Sequence, residues 1–120
     1  MMDAHIINLP KFLDRRGNLS FIEENNHIPF KIERAYWIYD VPGGEARGGH
    51  AYKENQEFIV ALSGSFDVML DDGVEQKIFS LNRACGGVWI IFQRILWLLY
   101  YHPLHILLLI IYMIMNNLRA

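Results

Sequence analysis

Every acidic residue of this 120-residue chain lies between Asp3 and Glu75, and none follows. Lys and Arg are spread more evenly, with seven up to residue 75 and four beyond it. The formal charge is therefore −6 over residues 1–75 and +4 over residues 76–120. Beyond the break the chain is apolar at 23 of the 28 positions from 88 to 115. A chain of this length has room for one core, so its two parts belong to one domain or one of them lies elsewhere. The overall charge of −2 leaves no excess of Lys and Arg to neutralise phosphates, which excludes a nucleic-acid partner of the usual kind. Aromatic residues at 13% are ample for a core and exclude a disordered linker. The single cysteine, Cys85, excludes an internal disulfide framework and a multi-cysteine zinc site.

The acidic part alternates as strands do. Ile6-Ile7-Asn8-Leu9 closes at Pro10, which cannot donate to a ladder and belongs at a strand end. Asp14-Arg15-Arg16-Gly17-Asn18 is a turn cluster, and residues 19–23 alternate after it. Over residues 31–40, Ile32, Arg34, Tyr36, Ile38 and Asp40 fall on one side, with Glu33, Ala35, Trp37 and Tyr39 on the other. Neither side is purely apolar, as expected of a barrel wall whose inner face lines a ligand pocket. Residues 57–62 read as a buried strand, and Ser63-Gly64-Ser65 as a turn. Residues 66–70 and 75–81 flank the hairpin signal Asp71-Asp72-Gly73. Turns at this spacing predict an all-β sandwich or barrel. Residues 41–49, with four glycines, read as a loop; no Lys-Ser or Lys-Thr pair follows to make it a phosphate loop.

One constellation can carry chemistry: Arg47-Gly48-Gly49-His50-Ala51-Tyr52-Lys53, with Gln56 close behind. On a strand, His50 and Tyr52 share a face. One imidazole, a phenol and an amide make a weak ligand set, so no metal is expected. Proton transfer suits these groups better, because imidazole titrates near neutrality and a polarised phenol can pass a proton. Arg47 and Lys53 suit an anionic substrate such as a diphosphate. A strand-end histidine that merely hydrogen-bonds a neighbour remains the plainer alternative. His5, His27, His102 and His105 are scattered and read as surface or loop residues, and Cys85 reads as a buried thiol.

Taken in order, Asp14-Arg15-Arg16-Gly17, Ile28-Pro29-Phe30-Lys31-Ile32, Arg34-Ala35-Tyr36-Trp37-Ile38-Tyr39, the Arg47-to-Lys53 run, Gly64-Ser65-Phe66, Asp71-Asp72-Gly73 and Leu81-Asn82-Arg83 carry a resemblance. Over about residues 5–90 the chain resembles the WxcM-like (FdtA/QdtA) sugar-nucleotide 3,4-ketoisomerases. The resemblance implies a cupin (RmlC-like) jelly roll and a homodimer, with no metal or other cofactor. It implies action on dTDP-4-oxo-6-deoxy-glucose, for dTDP-amino-sugar and surface polysaccharide synthesis in the cytoplasm. The family loop reads Arg-Gly-x-His-Ala-His-Lys, and its two histidines handle the protons. His50 matches the first, and Tyr52 stands where the second would be. By the same resemblance Tyr36 joins His50 and Tyr52 as catalytic, and Arg34, Arg47, Lys53 and Gln56 bind substrate. The chemistery expected is transfer of the keto group through an enediol. The departure at Tyr52 leaves a second reading, a non-catalytic cupin that binds a sugar nucleotide.

The family pattern fades after Ile90. Residues 95–115 carry no formal charge and are flanked by Arg94 and Arg119. By length and hydropathy they are a candidate membrane-spanning helix, although His102-Pro103 falls within the run. A shifted reading frame is a second origin: codons allowed for residues 112–119, read from their third base, encode Asp-Tyr-Glu-Gln-Phe-Lys, which resembles the family's usual ending. A buried core segment is the third. The expectation is thus a partial cupin domain over 1–90, incomplete at its carboxyl end, and an apolar tail over 91–120. That tail is either a frameshift product or a membrane segment, which would make the protein membrane-anchored.

Overall fold

The computed structural model describes the backbone of residues 3–41, 46–52, 55–84, 86–92, 95–101 and 107–114, and the side chains of 3–41, 56–84 and 86–90. The described residues form eleven strands and no helix: β1 (Asp3–Asn8), β2 (Lys11–Phe12), β3 (Leu19–Ser20), β4 (Arg34–Tyr39), β5 (Ala46–Tyr52), β6 (Asn55–Ser63), β7 (Phe66–Asp71), β8 (Gln76–Leu81), β9 (Gly86–Phe92), β10 (Ile95–Tyr101) and β11 (Leu107–Ile114). They build a five-stranded sheet in the order β1-β9-β6-β11-β4, a four-stranded sheet in the order β5-β10-β7-β8, and the small pair β2-β3. From β4 to β11 the chain changes sheet at nearly every step, staying within one sheet only between β7 and β8. All ladders are antiparallel. This is an all-β sandwich, as the alternation and turn spacing predict, with the jelly-roll topology that the family resemblance implies.

Alternation along β6 and β7 sorts the core into two layers. Ile59, Ala61, Phe66, Val68, Leu70, Val88 and Ile90 pack between the sheets, joined by Tyr36 and Ile38 of β4. Phe58 and Val60 face the other side of the five-stranded sheet, where Leu9, Ile28 and Phe30 cover them. Burying each of these large side chains contributes about 1.5–3 kcal/mol. The segment from Leu9 to β4 works as this cover rather than as ladder, which explains two shortened strands. The alternating residues 19–23 pair only at Leu19–Ser20; Phe21 instead stacks on Phe12 at 6.2 Å, and Ile22 joins the outer layer. Likewise β4 starts at Arg34, because Ile32 packs into that layer while its N–H donates to Glu24 Oε2 at 2.8 Å.

The β7–β8 hairpin forms where Asp71-Asp72-Gly73 marks it. Gly73 takes φ +89°, and Asp72 Oδ1 accepts from the N–H groups of Val74 and Glu75 at 2.8 and 2.7 Å. Gly87 serves a different need. A Cβ there would lie 2.8 Å from the Phe58 ring and press on the Ile59 carbonyl, so β9 reaches β6 only because that atom is missing.

The apolar tail enters both sheets. β10 lies between β5 and β7, and β11 between β6 and β4. The candidate helix over 95–115 is replaced, in its described residues, by two strands on either side of residues 102–106. No helix among the described residues is long and apolar enough to cross a membrane. The physical reason is visible in the register. Positions 108 and 110 of β11 share rows with Ala61 and Ile59 on the inner face, and positions 109 and 111 share rows with Val60 and Phe58 on the outer face. A central strand between two apolar layers has no side on which alternation would place polar residues.

Candidate active site

The inner faces of the two sheets bring most of the chemistry-bearing residues to one interior. On the five-stranded sheet, Tyr112 is opposite both Arg34 and Glu57, and Glu57 is opposite Ile90. One cross-strand row therefore runs Arg34, Tyr112, Glu57, Ile90. The next runs Tyr36, Ile110, Ile59, Val88. Tyr36 is half-buried against the inner core, whereas Arg34 is exposed on the edge strand. This is the division of β4 that its sequence alternation predicts.

On the four-stranded sheet the register brings the described positions of the candidate run to the inner face. His50 pairs with Trp97, which pairs with Leu70, and Leu70 is fully buried in the inner core. Tyr52 pairs with Ile95, two residues along, and so falls on the same face. Arg47 has the opposite parity to His50, yet it pairs with Leu99, which pairs with the inner-core Val68. A β-bulge opposite Trp97 and Leu98 makes this possible, since His50 and Gly48 are consecutive partners and Gly49 is the extra residue. The sequence reading treats the Gly48-Gly49 pair as part of a loop. In the structure it is the device that puts Arg47 and His50 on one face.

Two of the residues singled out from sequence are not in this group. Lys53 lies outside the described residues. Gln56 belongs to the outer face of β6, where its Oε1 accepts a hydrogen bond from Trp89 Nε1–H at 3.1 Å. Trp89 in turn meets His5 edge-on, with ring centres 4.7 Å apart.

The neighbouring residue, Glu57, takes the inward place. Its side chain is fully buried, and among the described residues neither carboxylate oxygen has a hydrogen-bond partner. Burial pushes its pKa up to about 8. The sequence reading places Glu57 at the head of a buried strand and gives it no role. Residues 58–62 are apolar at every position, so the sequence carries no signal of which face is inward; the ladder shows that Glu57 shares the face of Ile59 and Ala61. Elsewhere, Arg16 holds the Asp14 carboxyl below its ordinary range through a 2.8 Å ion pair, but both groups are exposed in a turn. The other carboxylates with lowered pKa, Asp71 and Asp72, serve the β7–β8 turn.

A two-sheet antiparallel jelly roll whose cross-strand rows bring positions 36, 47, 50 and 52 to the inner faces has the architecture of a cupin. The sequence pattern of the FdtA family (WxcM-like, C-terminal) matches residues 2–105. The chain belongs to that family. It is 43% identical over 89 residues, 74% of its length, to the TDP-4-oxo-6-deoxy-alpha-D-glucose-3,4-oxoisomerase of Aneurinibacillus thermoaerophilus, and spans 64% of that relative's length. Among solved structures, a 3,4-ketoisomerase from Helicobacter canadensis superimposes with a TM-score of 0.88 at 32% identity, over 98% of this chain and 88% of that one. QdtA, a sugar 3,4-ketoisomerase from Thermoanaerobacterium thermosaccharolyticum solved in complex with TDP, gives 0.87 at 27% identity, over 95% and 82%.

Proposed function

We propose that this chain is a sugar-nucleotide 3,4-ketoisomerase acting on TDP-4-oxo-6-deoxyglucose. The observation that carries the reading is that the register brings positions 47, 50 and 52 to the inner face of one sheet and Tyr36 to that of the other, with Arg34 exposed in the neighbouring row of the edge strand. Moving a carbonyl from C4 to C3 requires a base for the C3 proton. His50 is that base, since a neutral imidazole nitrogen accepts a proton and can later return it. Tyr36 and Tyr52 supply phenols to the enediolate oxygens, and Tyr52 takes the place of the family's second histidine. Arg34 and Arg47, with Lys53, hold the diphosphate by charge-assisted hydrogen bonds. Gln56, engaged with Trp89 on the outer face, supports the wall rather than the ligand. Apolar walls of Ile59, Val68 and Leu70 keep water from the enediolate.

Two further parts of the reading follow. Exposed Trp37, Tyr39 and Leu62 favour pairing of two copies as a homodimer. The tail supports a single domain extending past residue 90, because β10 and β11 join the two sheets.

The test is proton exchange. TDP-4-oxo-6-deoxyglucose incubated with the protein in deuterated water should gain deuterium at C3 in the recovered substrate and at C4 in the 3-oxo isomer formed, both read by NMR. His50→Asn should slow both by about 10²–10⁴-fold. Binding of the nucleotide without exchange, unchanged on Tyr52→His, would instead identify a non-catalytic binder.

A further inference from the structure

One polar side chain of the interior has no part in the mechanism just described. We propose that Glu57 is a catalytic acid of this site, whose carboxyl gives its proton to the carbonyl oxygen at C4 and takes one back from the hydroxyl at C3. The assignment rests on the ketoisomerase reading and adds to it the identity of the oxygen-side acid.

Placement is the first support. Glu57 lies on the inner face of β6, in the same row as Arg34 with only the Tyr112 position between them. Neighbouring strands lie about 4.8 Å apart, so the backbones at 34 and 57 are about 10 Å from one another. Only residues 53 and 54 separate the end of β5 from the start of β6. Three Cα–Cα steps of about 3.8 Å keep Tyr52 and Asn55 within about 11 Å. The end of β5 that carries His50 and Tyr52 therefore meets the end of β6 that carries Glu57.

The second support is the missing partner. Glu57 is fully buried, and both oxygens lack a hydrogen bond among the described residues. Polar groups in folded interiors are almost always paired, because an orphaned one carries its full desolvation cost. Ile90 is opposite Glu57 on β9, and Ile59 is the next inward residue on β6, so its surroundings on those strands are apolar. A carboxyl kept in such a place is satisfied by a group that arrives from outside, and the hydroxyl and carbonyl oxygens of a hexose are such groups. Burial also keeps this carboxyl protonated near neutral pH, so it donates where an ordinary carboxylate only accepts. It is a stronger acid than a phenol, whose ordinary pKa is about 10.

The proton and electron count closes. His50 takes the C3 proton, and the C3–H electron pair becomes the C3–C4 double bond. The π pair of the C4 carbonyl moves to its oxygen, which takes the Glu57 proton. The products are an enediol, an imidazolium and a carboxylate. In the second half the carboxylate removes the O3 proton and the O3–C3 carbonyl forms. The double-bond pair then takes the imidazolium proton at C4. Both side chains return to their starting states, and no oxidant or reductant is needed.

The experiment compares the full chain with Glu57→Gln and Glu57→Leu, using TDP for binding by calorimetry and TDP-4-oxo-6-deoxyglucose for turnover by NMR. Glutamine keeps the shape and cannot give up a proton; leucine fills the place with an apolar group. Both variants should bind TDP within about threefold of the parent, and both should isomerise at least about 100-fold more slowly. A Glu57→Gln variant that isomerises at the parent rate overturns the assignment and leaves the ketoisomerase reading standing. Loss of TDP binding in both variants also overturns it, in favour of a structural role. A parent chain that neither binds TDP nor isomerises overturns the ketoisomerase reading, and this assignment falls with it.

Discussion

The residues proposed to do chemistry and the strands that hold them in place come from opposite ends of the chain. Arg34 and Tyr36 ride on β4, and Arg47, His50 and Tyr52 ride on β5; both strands belong to the acidic part. Each is the outermost strand of its sheet. Among the described residues β4 is paired with β11 alone, and β5 with β10 alone, and both of those partners belong to the apolar tail. The two regions look unlike because their surroundings differ. An edge strand beside a polar interior keeps one wet face and one lined with functional groups, so its sequence mixes charge with aromatics. A central strand with neighbours on both sides is free to be apolar throughout. The tail is thus the mount of the site, although it contributes only the Tyr112 position to the row of Arg34 and Glu57.

The largest expected effect follows from breaking that mount. A chain ending at Phe92 loses the ladders that β4 and β5 make among the described residues, and with them the fold's stability of about 5–15 kcal/mol. It should show no cooperative urea transition and no isomerisation; a folded, active 1–92 fragment would separate the two regions that the structure joins.

The next effect lies within the acidic part. The Glu57 pKa is raised from its ordinary 4.5 to about 8, so between those values the folded protein binds a proton that the unfolded chain has released. The stability from this group is fully present below pH 4.5 and is lost as pH rises toward 8. By pH 7 the parent should have lost about 3 kcal/mol from this source, whereas Glu57→Gln should not. Urea midpoints at pH 5 and pH 7 measure the difference. Equal pH slopes for parent and variant would remove the buried carboxyl from the account.

Smaller effects distinguish close packing from exposure. Gly87→Ala should cost about 1–3 kcal/mol, because the added methyl must push β9 away from Phe58 and Ile59 of β6. Trp37→Ser, on the 60% exposed outer side of β4, should change the stability of a single copy by less than about 0.5 kcal/mol. If Trp37 also joins two copies, light scattering will show the variant shifted toward the monomer at unchanged monomer stability.

Much of this was open to reading in the sequence. The alternation of residues 34–39 predicts which residues of β4 share a side, and Asp71-Asp72-Gly73 predicts the β7–β8 hairpin. Three features were hidden for physical reasons. A run of apolar residues has no period to tell a strand from a helix, so residues 95–115 fit a membrane span as well as two central strands. The parity rule that pairs His50 with Tyr52 assigns Arg47 to the other face, and only the bulge at Gly49 reverses it. The family resemblance makes Gln56 the substrate residue of β6, whereas the inward place goes to Glu57; the apolar run that follows has no alternation to show it, and the Trp89 hydrogen bond and the ladder fix it.

Hydrogen exchange followed by mass spectrometry on the full chain tests the joining of the two regions most directly. Backbone amides of β10 and β11 should be protected together with those of β6, because all three are paired on both sides, and β4 and β5 should be protected on the side that faces the tail. Exchange of residues 95–101 and 107–114 at the rate of an unstructured peptide, while β6 stays protected, would contradict the account.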